Sequence, residues 1–363
     1  MTTSHNPLEL PPDLPVPTDD GACLHLRGCA MPSISVSSTG GARIDLSRLT
    51  SPAVVFLYPR TGVPGQPPSL GFSGETWESI AGARGCTPQS CGFRDLYAEF
   101  ASLGTVVYGL ATNTTEHQLE FKGRNHVPFD FLSDSDLRLT RTLRLPTFEF
   151  PVESGGPTTL LRRAAWFIEP DSAGTPRIRR VFYPVFPPDR NAEVVLAWLR
   201  ARRSIAVVPA AAEHREFLVA ELHRHWFSTT ISSRGKAFSA HRLPALVAIE
   251  GGRPVGHATL VFDDRTRECE VITLSSSLED RGIGSLLLDH AEDAARARRC
   301  TRLFLTTTND NLRALRFYQR RGMRIAAVYP GMIDRYRAAG SATPVIGASG
   351  IPCRDEIELT LQL

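Results

Sequence analysis

The sequence predicts a two-domain α/β protein, and three observations lead to that prediction. The chain has 363 residues, about twice the length of a common single domain. Short apolar runs alternate with segments whose apolar residues recur every three or four positions, as buried strands alternate with amphipathic helices. An uncharged stretch at 204–212, either a linker or a short strand, separates two such series. We therefore expect domains at 21–205 and 206–363.

Residues 1–20 are predicted to form a disordered arm, because they are rich in proline and polar residues. The arm lacks the apolar segment of a secretory signal. No apolar run approaches the ~18 residues of a membrane span. The net charge of +3 gives no signal for nucleic acid or an anionic membrane. We expect a cytoplasmic protein with no nucleic-acid or membrane partner.

In the first domain, apolar runs predict buried strands, and apolar residues at helical spacing predict the helices between them. The predicted strands are 53–57, 105–110, 127–132, 164–168 and 179–183, the last two as a hairpin. The predicted helices are 93–103, 115–125, 135–143 and 191–202. This alternation predicts a mixed sheet covered by helices on both faces.

The second domain shows the same two patterns. The predicted helices are 213–227, 285–298 and 312–321. The predicted strands are 245–250, 255–262, 268–274, 302–306, 325–329 and 357–363. Gly251 and Gly252 lie between the first two strands and indicate a tight hairpin turn. A second mixed α/β sheet is therefore expected.

The first chemical motif is the pair Cys86 and Cys91, at the end of a loop that enters a helix. A helix N-terminus stabilises a thiolate, which attacks peroxide oxygen, and the resulting sulfenic acid condenses with a nearby thiol. A gap of five residues exceeds one helical turn, so a disulfide between them requires local unwinding. Two small buried residues are the alternative. The other cysteines are scattered without zinc-ligand spacing, and no metal site is predicted.

The residues around this pair resemble the peroxiredoxin family (AhpC/TSA), specifically its bacterioferritin-comigratory-protein, or Q-type, branch. The resemblance covers roughly residues 25–200. The segments that carry it are Phe56–Pro59, Gly85–Asp95, Leu132–Asp134, Leu145–Pro146 and Arg163 with the strand after it. The resemblance implies a thioredoxin-like fold for the first domain.

By this resemblance, Cys86 is the peroxidatic cysteine and Cys91 the resolving cysteine. Arg163 is the arginine that holds the thiolate and polarises the peroxide. A guanidinium suits that task because it is always charged and carries a fork of donors. The resemblance also implies a hydroperoxide substrate and an external thiol reductant such as thioredoxin.

The sequence departs from the family pattern ahead of the first cysteine. Ala83 stands where the family has a threonine, and Ser79 stands where it has a proline. About twenty-five residues rich in glycine and proline separate Pro59 from Gly85. Pro59 and Thr61 are candidates to fold back beside Cys86 in place of that proline and that threonine hydroxyl. A general thiol–disulfide role is the alternative to peroxide reduction.

The second motif is a glycine-containing loop between a strand and a helix, Asp280–Ser285. Successive N–H groups in such a loop form an anion nest, and glycines let the backbone approach a pyrophosphate. With the segment Thr306–Met323, this loop closely resembles the GNAT acyltransferase family over roughly residues 210–363. The downstream residues that match are Asn311, Ala314, Phe317, Tyr318, Gly322 and Met323.

This resemblance implies the GNAT fold and acetyl-CoA as a co-substrate, with no tightly bound cofactor. It assigns the thioester and pantetheine to the strand that contains Ile272 and Leu274. It assigns the pyrophosphate to the loop and helix start, and it adds one downstream residue to the cofactor-binding set. That set comprises Glu279, Asp280, Arg281, Gly282, Ile283, Gly284, Ser285 and Asn311. Glu279 departs from the family's Arg or Gln, and Arg281 is expected to compensate.

The resemblance also assigns the acid and the acceptor side of the reaction. Tyr318 is the implied acid that protonates the departing CoA thiolate. Glu270 and Glu268 are both candidates for the base that deprotonates the amine, and strand alternation places them on one face. The acceptor is expected to be a small-molecule or peptide amine near 232–236 and 347–356.

The sequence as a whole predicts a bifunctional enzyme, an N-acetyltransferase fused to a thiol-dependent two-cysteine peroxidase. The alternative is an active acetyltransferase with a degenerate thioredoxin-fold module that serves as a redox sensor or docking domain. A third interpretation makes both halves binding modules with acyl-CoA as a sensed ligand. The intact cysteine pair and the intact segment from Asn311 to Tyr318 favour catalysis over passive binding.

Overall fold

The computed structural model describes residues 10–62, 77–150, 157–278, 281–347 and 349–363. The chain divides into two compact units, Met1–Leu199 and Arg200–Leu363. Of the predicted disordered arm, residues 1–9 lie outside the described residues. At the other end of the arm, Asp20 accepts a hydrogen bond of 2.9 Å from the Tyr183 hydroxyl. Within the described ranges, no helix is long and apolar enough to cross a membrane.

The strands of the first unit are β1 (Ser35–Ser38), β2 (Arg43–Asp45), β3 (Ala53–Leu57), β4 (Val106–Ala111), β5 (Asp130–Ser133), β6 (Thr147–Glu149), β7 (Thr159–Leu161), β8 (Ala164–Pro170) and β9 (Pro176–Phe182). One mixed sheet has the order β2-β1-β5-β4-β3-β8-β9, and β6 pairs with β7. Every residue of β3 is buried, as an uninterrupted apolar run predicts for a central strand. β3 runs parallel to β4 and antiparallel to β8.

The helices of the first unit are α1 (Cys86–Asp95), α2 (Tyr97–Ser102), α3 (Thr115–Arg124), α4 (Arg138–Leu143) and α5 (Asn191–Arg203). The helix predicted at 93–103 is wrong in its bounds, because helix already begins at Cys86 and Leu96 separates α1 from α2. The apolar residues on which that prediction was based are nevertheless buried. Phe93 stacks on Phe56 with ring centres 4.4 Å apart, and Phe100 lies in the same core.

The strands of the second unit are β10 (Ile205–Pro209), β11 (Thr230–Ser233), β12 (Lys236–Ser239), β13 (Ala245–Glu250), β14 (Arg253–Asp263), β15 (Glu268–Ser276), β16 (Arg302–Thr308), β17 (Arg324–Tyr329) and β18 (Glu356–Gln362). The main sheet has the order β10-β13-β14-β15-β16-β18-β17, and β11 and β12 form a separate hairpin. Of the two interpretations of 204–212, the strand is the observed one, since β10 pairs with β13.

The helices of the second unit are α6 (Arg215–Trp226), α7 (Ile283–Ala297), α8 (Leu312–Arg320) and α9 (Met332–Ala338). Helix α7 is amphipathic, and Leu287 and Ala291 pack in one core with Val271 of β15. Sequence patterns missed α9 and the β11–β12 hairpin. Both are short and bury few side chains, so they lack the apolar periodicity on which such predictions depend.

Candidate active sites

The Cys86 sulfur lies at the first turn of α1. Gly85 precedes the helix with a φ of 103°, a backbone conformation that favours glycine. A Cβ at this position would lie 2.3 Å from Pro188 Cγ, so the position requires glycine for space as well. Cys86 is 5% exposed. The positive end of a helix and its free N–H groups therefore lie beside a buried sulfur.

Arg163, between β7 and β8, places its guanidinium on this sulfur. Its Nη2 donates to Cys86 Sγ at 3.3 Å. Its other contacts are neutral oxygens, namely the carbonyls of Gly82, Ala83 and Arg84 at 3.2, 3.0 and 3.1 Å, and Gln89 Oε1. The Cys86 thiol donates to the Ala83 carbonyl at 3.7 Å. The fold thus brings a sulfur and a buried cation together.

Apolar side chains surround the position where the family's threonine is absent. Ala83 is fully buried in a cluster with Trp77, Phe150 and Leu160. Thr61, the candidate substitute hydroxyl, has its Oγ1 3.1 Å from Nε2 of His117 on α3. Burial lowers the pKa of His117, which keeps that ring neutral at pH 7. Among the described residues, the hydrogen-bond partners of the sulfur are the Arg163 guanidinium and the Ala83 carbonyl.

Cys91 lies on the same helix as Cys86, and both thiols are free. Residues five positions apart in an ideal α-helix have Cα atoms ~8.6 Å apart, which exceeds the ~7 Å limit for a disulfide. A bond between these cysteines therefore requires α1 to unwind locally. Burial raises the pKa of the Cys91 thiol, against a smaller lowering by Arg94. Cys91 is consequently a protonated thiol at neutral pH.

The second candidate site lies where β15 and β16 separate. These parallel strands are paired as far as Val271 and Leu305. In the described part of the chain, β15 has no strand partner on this edge beyond that point. Ile272 is a bulge, since Val271 and Thr273 pair with consecutive residues of β14. The open edge includes Ile272 and Leu274, and its backbone groups are available to a ligand.

Helix α7 follows this opening. Its N-cap residue, Gly282, has a left-handed φ of 76°, which turns the chain from the loop into the helix. Ile283 anchors the first turn because its side chain is buried in the core. Gly284 and Ser285 complete the turn, whose N–H groups have no partners within the helix. Such a turn has the chemistry of an anion site.

The acidic loop ahead of α7 is only partly described. Glu279 and Asp280, both in the predicted pyrophosphate set, lie outside the described residues. Arg281 pairs with Glu250 at an Nη2–Oε1 distance of 2.5 Å. Arg281 is expected to compensate for Glu279 in pyrophosphate binding. To do so, its guanidinium has to leave the Glu250 carboxylate and bind a phosphate instead.

Glu270, one of the two candidate bases, is buried, and both of its oxygens accept hydrogen bonds. Oε1 accepts from the Ser233 hydroxyl, and Oε2 accepts from Arg234 Nη2 at 3.3 Å. Ser233 and Arg234 belong to the turn of the β11–β12 hairpin. Glu268, the other candidate, is more exposed and accepts from Arg302 Nη1 at 2.7 Å.

Two further buried glutamates, Glu356 and Glu358, surround Arg234. The Arg234 guanidinium lies 3.6 Å from Glu358 Oε2 and 4.1 Å from the centre of the Phe304 ring. The Arg234 N–H donates to Glu356 Oε2 at 3.1 Å, and the Tyr336 hydroxyl donates to the same oxygen at 3.0 Å. Burial raises the pKa of Glu356. This cluster holds one of the protein's own cations against carboxylates and an aromatic ring.

Tyr318, on α8, is 8% exposed and packs in the core of the second unit. Burial raises the pKa of its phenol, which keeps the hydroxyl protonated at neutral pH. Asn311 caps the same helix, since its Oδ1 accepts from the Ala314 N–H at 3.1 Å. The structure therefore gives Asn311 a helix-capping role, whereas the sequence prediction gave it only a cofactor-binding role.

Sequence reasoning missed the residues that hold the predicted ones. Gln89 follows Cys86 by three positions, and the i, i+3 spacing of a helix that begins at Cys86 is a signal that could have found it. Arg234 lies in the segment 232–236 expected near the acceptor, but the sequence does not predict its contacts with Glu270 and Glu358, and Tyr336 reaches the same site from α9. No local sequence pattern predicts such contacts, because they depend on tertiary structure.

Comparison with known proteins matches each unit to a family. The AhpC/TSA family model matches residues 79–173. The acetyltransferase (GNAT) family model matches residues 198–323. The first match contains both cysteines and Arg163, and the second contains Glu270 and Tyr318.

YdhI, an uncharacterized protein of Bacillus subtilis (strain 168), is 34% identical over 152 residues, which cover 42% of this chain and 94% of that protein. The chloroplastic peroxiredoxin Q of Oryza sativa subsp. japonica is 28% identical over 136 residues, which cover 37% of this chain and 54% of that protein. The solved IAA acetyltransferase from Bacillus cereus ATCC 14579 is 25% identical, with a TM-score of 0.36, and the match covers 44% of this chain and 100% of that chain. The chain joins an AhpC/TSA-family domain with a thioredoxin-like fold to a GNAT-family acetyltransferase domain.

Proposed function

We propose that the protein is a bifunctional enzyme, an acetyl-CoA-dependent N-acetyltransferase joined to a thiol-dependent two-cysteine peroxidase. The peroxidase proposal depends above all on the Arg163 guanidinium, 3.3 Å from Cys86 Sγ at a helix N-terminus. The transferase proposal depends on the open edge of β15 and the helix start that follows it. Acetyl-CoA and thiol reductants are both cytoplasmic, and we place the protein there.

In the peroxidase reaction, the Cys86 thiolate attacks one oxygen of a hydroperoxide. The S–O bond forms as the O–O bond breaks, and the departing alkoxide takes up a proton and leaves as an alcohol or water. Sulfur is oxidised to a sulfenic acid, and the peroxide is reduced. Arg163 stabilises the thiolate and donates to the peroxide oxygens as charge develops on them.

Cys91 completes the cycle. Its thiol attacks the sulfenic sulfur, the S–S bond forms, and the sulfenic oxygen leaves as water. This step requires α1 to unwind between the two cysteines. An external dithiol of the thioredoxin type then reduces the disulfide by exchange.

The decisive test is disulfide mapping by mass spectrometry after one equivalent of hydrogen peroxide is added to the reduced protein. We expect a fast Cys86–Cys91 bond, and the same bond at the same rate in Cys300→Ser, which alters a thiol of the other unit. Slow oxidation spread over all cysteines would contradict the peroxidase. It would favour a redox-sensor or docking role for the first unit, which the apolar surroundings of Ala83 make the second candidate.

In the transferase reaction, the lone pair of an amine attacks the thioester carbonyl. The C–N bond forms, the C–S bond breaks, and Tyr318 gives the leaving sulfur its proton. Glu270 takes the proton that the acceptor ammonium loses before its nitrogen attacks, and Glu268 is the second candidate for that role. Burial raises the pKa of Tyr318, so its hydroxyl carries a proton at neutral pH that the leaving sulfur can take.

The chain's own residues offer acetyl-CoA two kinds of contact. The unpaired edge at Ile272 and Leu274 presents backbone groups to the pantetheine and the thioester. The first turn of α7, Gly282 to Ser285, presents N–H groups to the pyrophosphate, and Arg281 adds a positive charge. The acceptor amine is placed beside the β11–β12 hairpin, where buried carboxylates favour a cation.

The transferase is tested with Tyr318→Phe, which keeps the ring and removes the proton. We expect kcat for acetyl-CoA turnover with small amines and peptides to fall about 10²-fold, with no loss of thermal stability. The assay follows free CoA thiol, with reduced protein to exclude disulfide chemistry. Unchanged kcat would make Tyr318 a core residue and remove it from the mechanism.

A further inference from the structure

Lysine is almost absent from this chain, and one of its two lysines lies beside the candidate transferase site. Of the 41 lysines and arginines, only Lys122 and Lys236 are lysines. Lys122 belongs to the first unit, where its ammonium lies 2.6 Å from Asp130 Oδ1. Lys236 is the first residue of β12 and is exposed. It is thus the exposed one of the chain's two lysine amines.

The β11–β12 hairpin fixes where the Lys236 side chain starts. Lys236 lies directly opposite Ser233, with the two residues of the turn between them. Side chains of directly opposite residues project from the same face of an antiparallel pair, with Cβ atoms ~5 Å apart. Ile231 and Phe238 are the next opposite pair on that face, and they pack in one cluster with Ile272 of β15. The Lys236 side chain therefore leaves the hairpin on the face that packs on the sheet.

Ser233 lies at the point where β15 and β16 separate. Its hydroxyl donates to Glu270 of β15 and lies 3.0 Å from the Thr306 hydroxyl of β16. Glu270 is among the last residues of β15 that pair with β16, and Thr306 follows the last paired residue of β16. Ser233 thus contacts both sides of the opening. The Lys236 stem begins one cross-strand step from this contact, and its four flexible carbons bring the ammonium within reach of Glu270.

Arg234 is also close to Glu270, but it cannot serve as an acetyl acceptor. Its Nη2 lies 3.3 Å from Glu270 Oε2. A guanidinium is not deprotonated in proteins, so it has no lone pair with which to attack a thioester. A lysine ammonium gives its proton to a base and is then a nucleophile. The hairpin therefore carries two cations with different roles: Arg234 binds the carboxylates, and Lys236 offers an amine.

We propose that Lys236 is an acetylation site of the protein itself, modified on Nζ by acetyl-CoA bound to the same chain. The inference rests on the proposed transferase function. The Nζ lone pair attacks the thioester carbonyl, the C–N bond forms, the C–S bond breaks, and CoA leaves as a thiol. The ammonium loses two protons in all. One leaves on the CoA sulfur through Tyr318, and the other passes to Glu270 and then to solvent.

The inference is tested by adding acetyl-CoA alone, at saturation, to the reduced protein and mapping acetylated peptides by mass spectrometry. We expect one acetyl group per chain, on Lys236, at a rate per chain that dilution of the protein does not change. Lys122 should react at least ~10²-fold more slowly, because it is not held beside the thioester. Glu270→Gln should slow the labelling of Lys236 about 10²-fold. Lys236→Arg keeps the charge and removes both the label and the matching release of one CoA thiol per chain.

Arg265→Lys is the matched control, because it places another exposed ammonium in the turn between β14 and β15, at the end of β15 away from the opening. Acetylation at position 265 as fast as at Lys236 would overturn the inference in favour of uncatalysed chemistry. A rate per chain that rises with protein concentration would overturn it in favour of transfer between copies.

The same preparation separates failure of this inference from failure of the transferase. If Lys236 stays unmodified while added amines are acetylated, and Tyr318→Phe slows that reaction, the inference is overturned and the transferase stands. If neither the added amines nor Lys236 are acetylated, both are overturned.

Discussion

The Cys86 site and the Glu270 site both bury charged side chains, but they balance the charge in opposite ways. Around Cys86, the Arg163 guanidinium meets four neutral oxygens and a sulfur. Around Glu270, buried carboxylates are matched by Arg234 and Arg302. Among the described residues, the first site leaves its arginine without a carboxylate partner, and the second pairs its arginines with carboxylates.

The two sites therefore differ in what has to happen before each of them reacts. A buried cation without a carboxylate partner is ready for an anion that forms during the reaction. The Glu270 carboxylate already accepts hydrogen bonds from Ser233 and Arg234, so its charge is engaged before an amine arrives. The first site is therefore preorganised for an anion, whereas in the second an amine competes with Ser233 and Arg234 for the carboxylate.

Cys86→Ser tests the preorganised site with the largest expected effect. A serine hydroxyl stays protonated at neutral pH, so Arg163 has no anion to stabilise. We expect thiol-dependent peroxide consumption to fall at least ~10³-fold, while acetyl-CoA turnover stays at the wild-type rate. Coupled peroxidase and CoA-thiol assays on the same preparation measure both. Peroxide consumption that persists in Cys86→Ser would contradict the assignment of Cys86 as the nucleophile, because the reacting group would lie elsewhere.

Arg163→Lys keeps the charge but removes the fork of donors. A lysine ammonium is a point charge and cannot bind three carbonyls and a sulfur at once. We expect a ~10²-fold slower peroxide reaction by stopped flow. We also expect a lower Tm, because buried carbonyls that lose a partner cost about 1–3 kcal/mol each. Arg162→Lys, at the exposed neighbouring position, is the matched control. A rate within twofold of wild type would mean that charge alone suffices.

Local patterns predict most of the first unit, because its strands are apolar runs. The run at 53–57 matches β3 at both ends. The start of α1 is not predictable in the same way, since the residues between the cysteines are polar and small and show no apolar period. The contact between Cys86 and Arg163 spans 77 positions. Only family resemblance connects those two residues in the sequence.

The second unit shows where strand alternation stops being informative. Alternation places Glu268 and Glu270 on one face and does not choose between them. Tertiary contacts separate them, because Glu268 meets Arg302 whereas Glu270 meets the hairpin turn. That turn is short, polar and far along the chain from β15. Its position depends on packing that no local sequence pattern encodes.

The buried His257 of the second unit also has neutral hydrogen-bond partners, which allows a second test of how the protein treats a buried titratable group. Its ring lies 3.1 Å from the Thr273 hydroxyl and 3.0 Å from the Ser275 hydroxyl. Burial lowers the pKa of His257 to about 4. Below pH 6.5 the His257 ring is protonated in the unfolded state, whereas in the folded state it stays neutral down to about pH 4. Stability is therefore lost as pH falls from 6.5 to about 4, by about 1.4 kcal/mol per pH unit.

Urea unfolding across this pH window measures that slope. In His257→Asn the contribution disappears, so the difference in unfolding free energy between wild type and variant should change with pH. His223→Asn, at an exposed position of α6, should leave the slope as it is. Parallel profiles for wild type and His257→Asn would show that His257 titrates normally and is not held neutral.

Arg234→Ala gives the smallest expected effect and bears most directly on the paired site. It frees Glu270 Oε2 and removes one cation from the carboxylate cluster. A partly exposed ion pair contributes up to about 1 kcal/mol. We therefore expect kcat for acetylation of an amine, at saturating substrate, to rise by about fivefold at most. Arg281→Ala removes an arginine that pairs with Glu250 instead, and it should not quicken the reaction. A fall in rate with Arg234→Ala would mean that this arginine orients Glu270 for catalysis. The two sites would then share one strategy, in which an arginine holds the reacting group from the start.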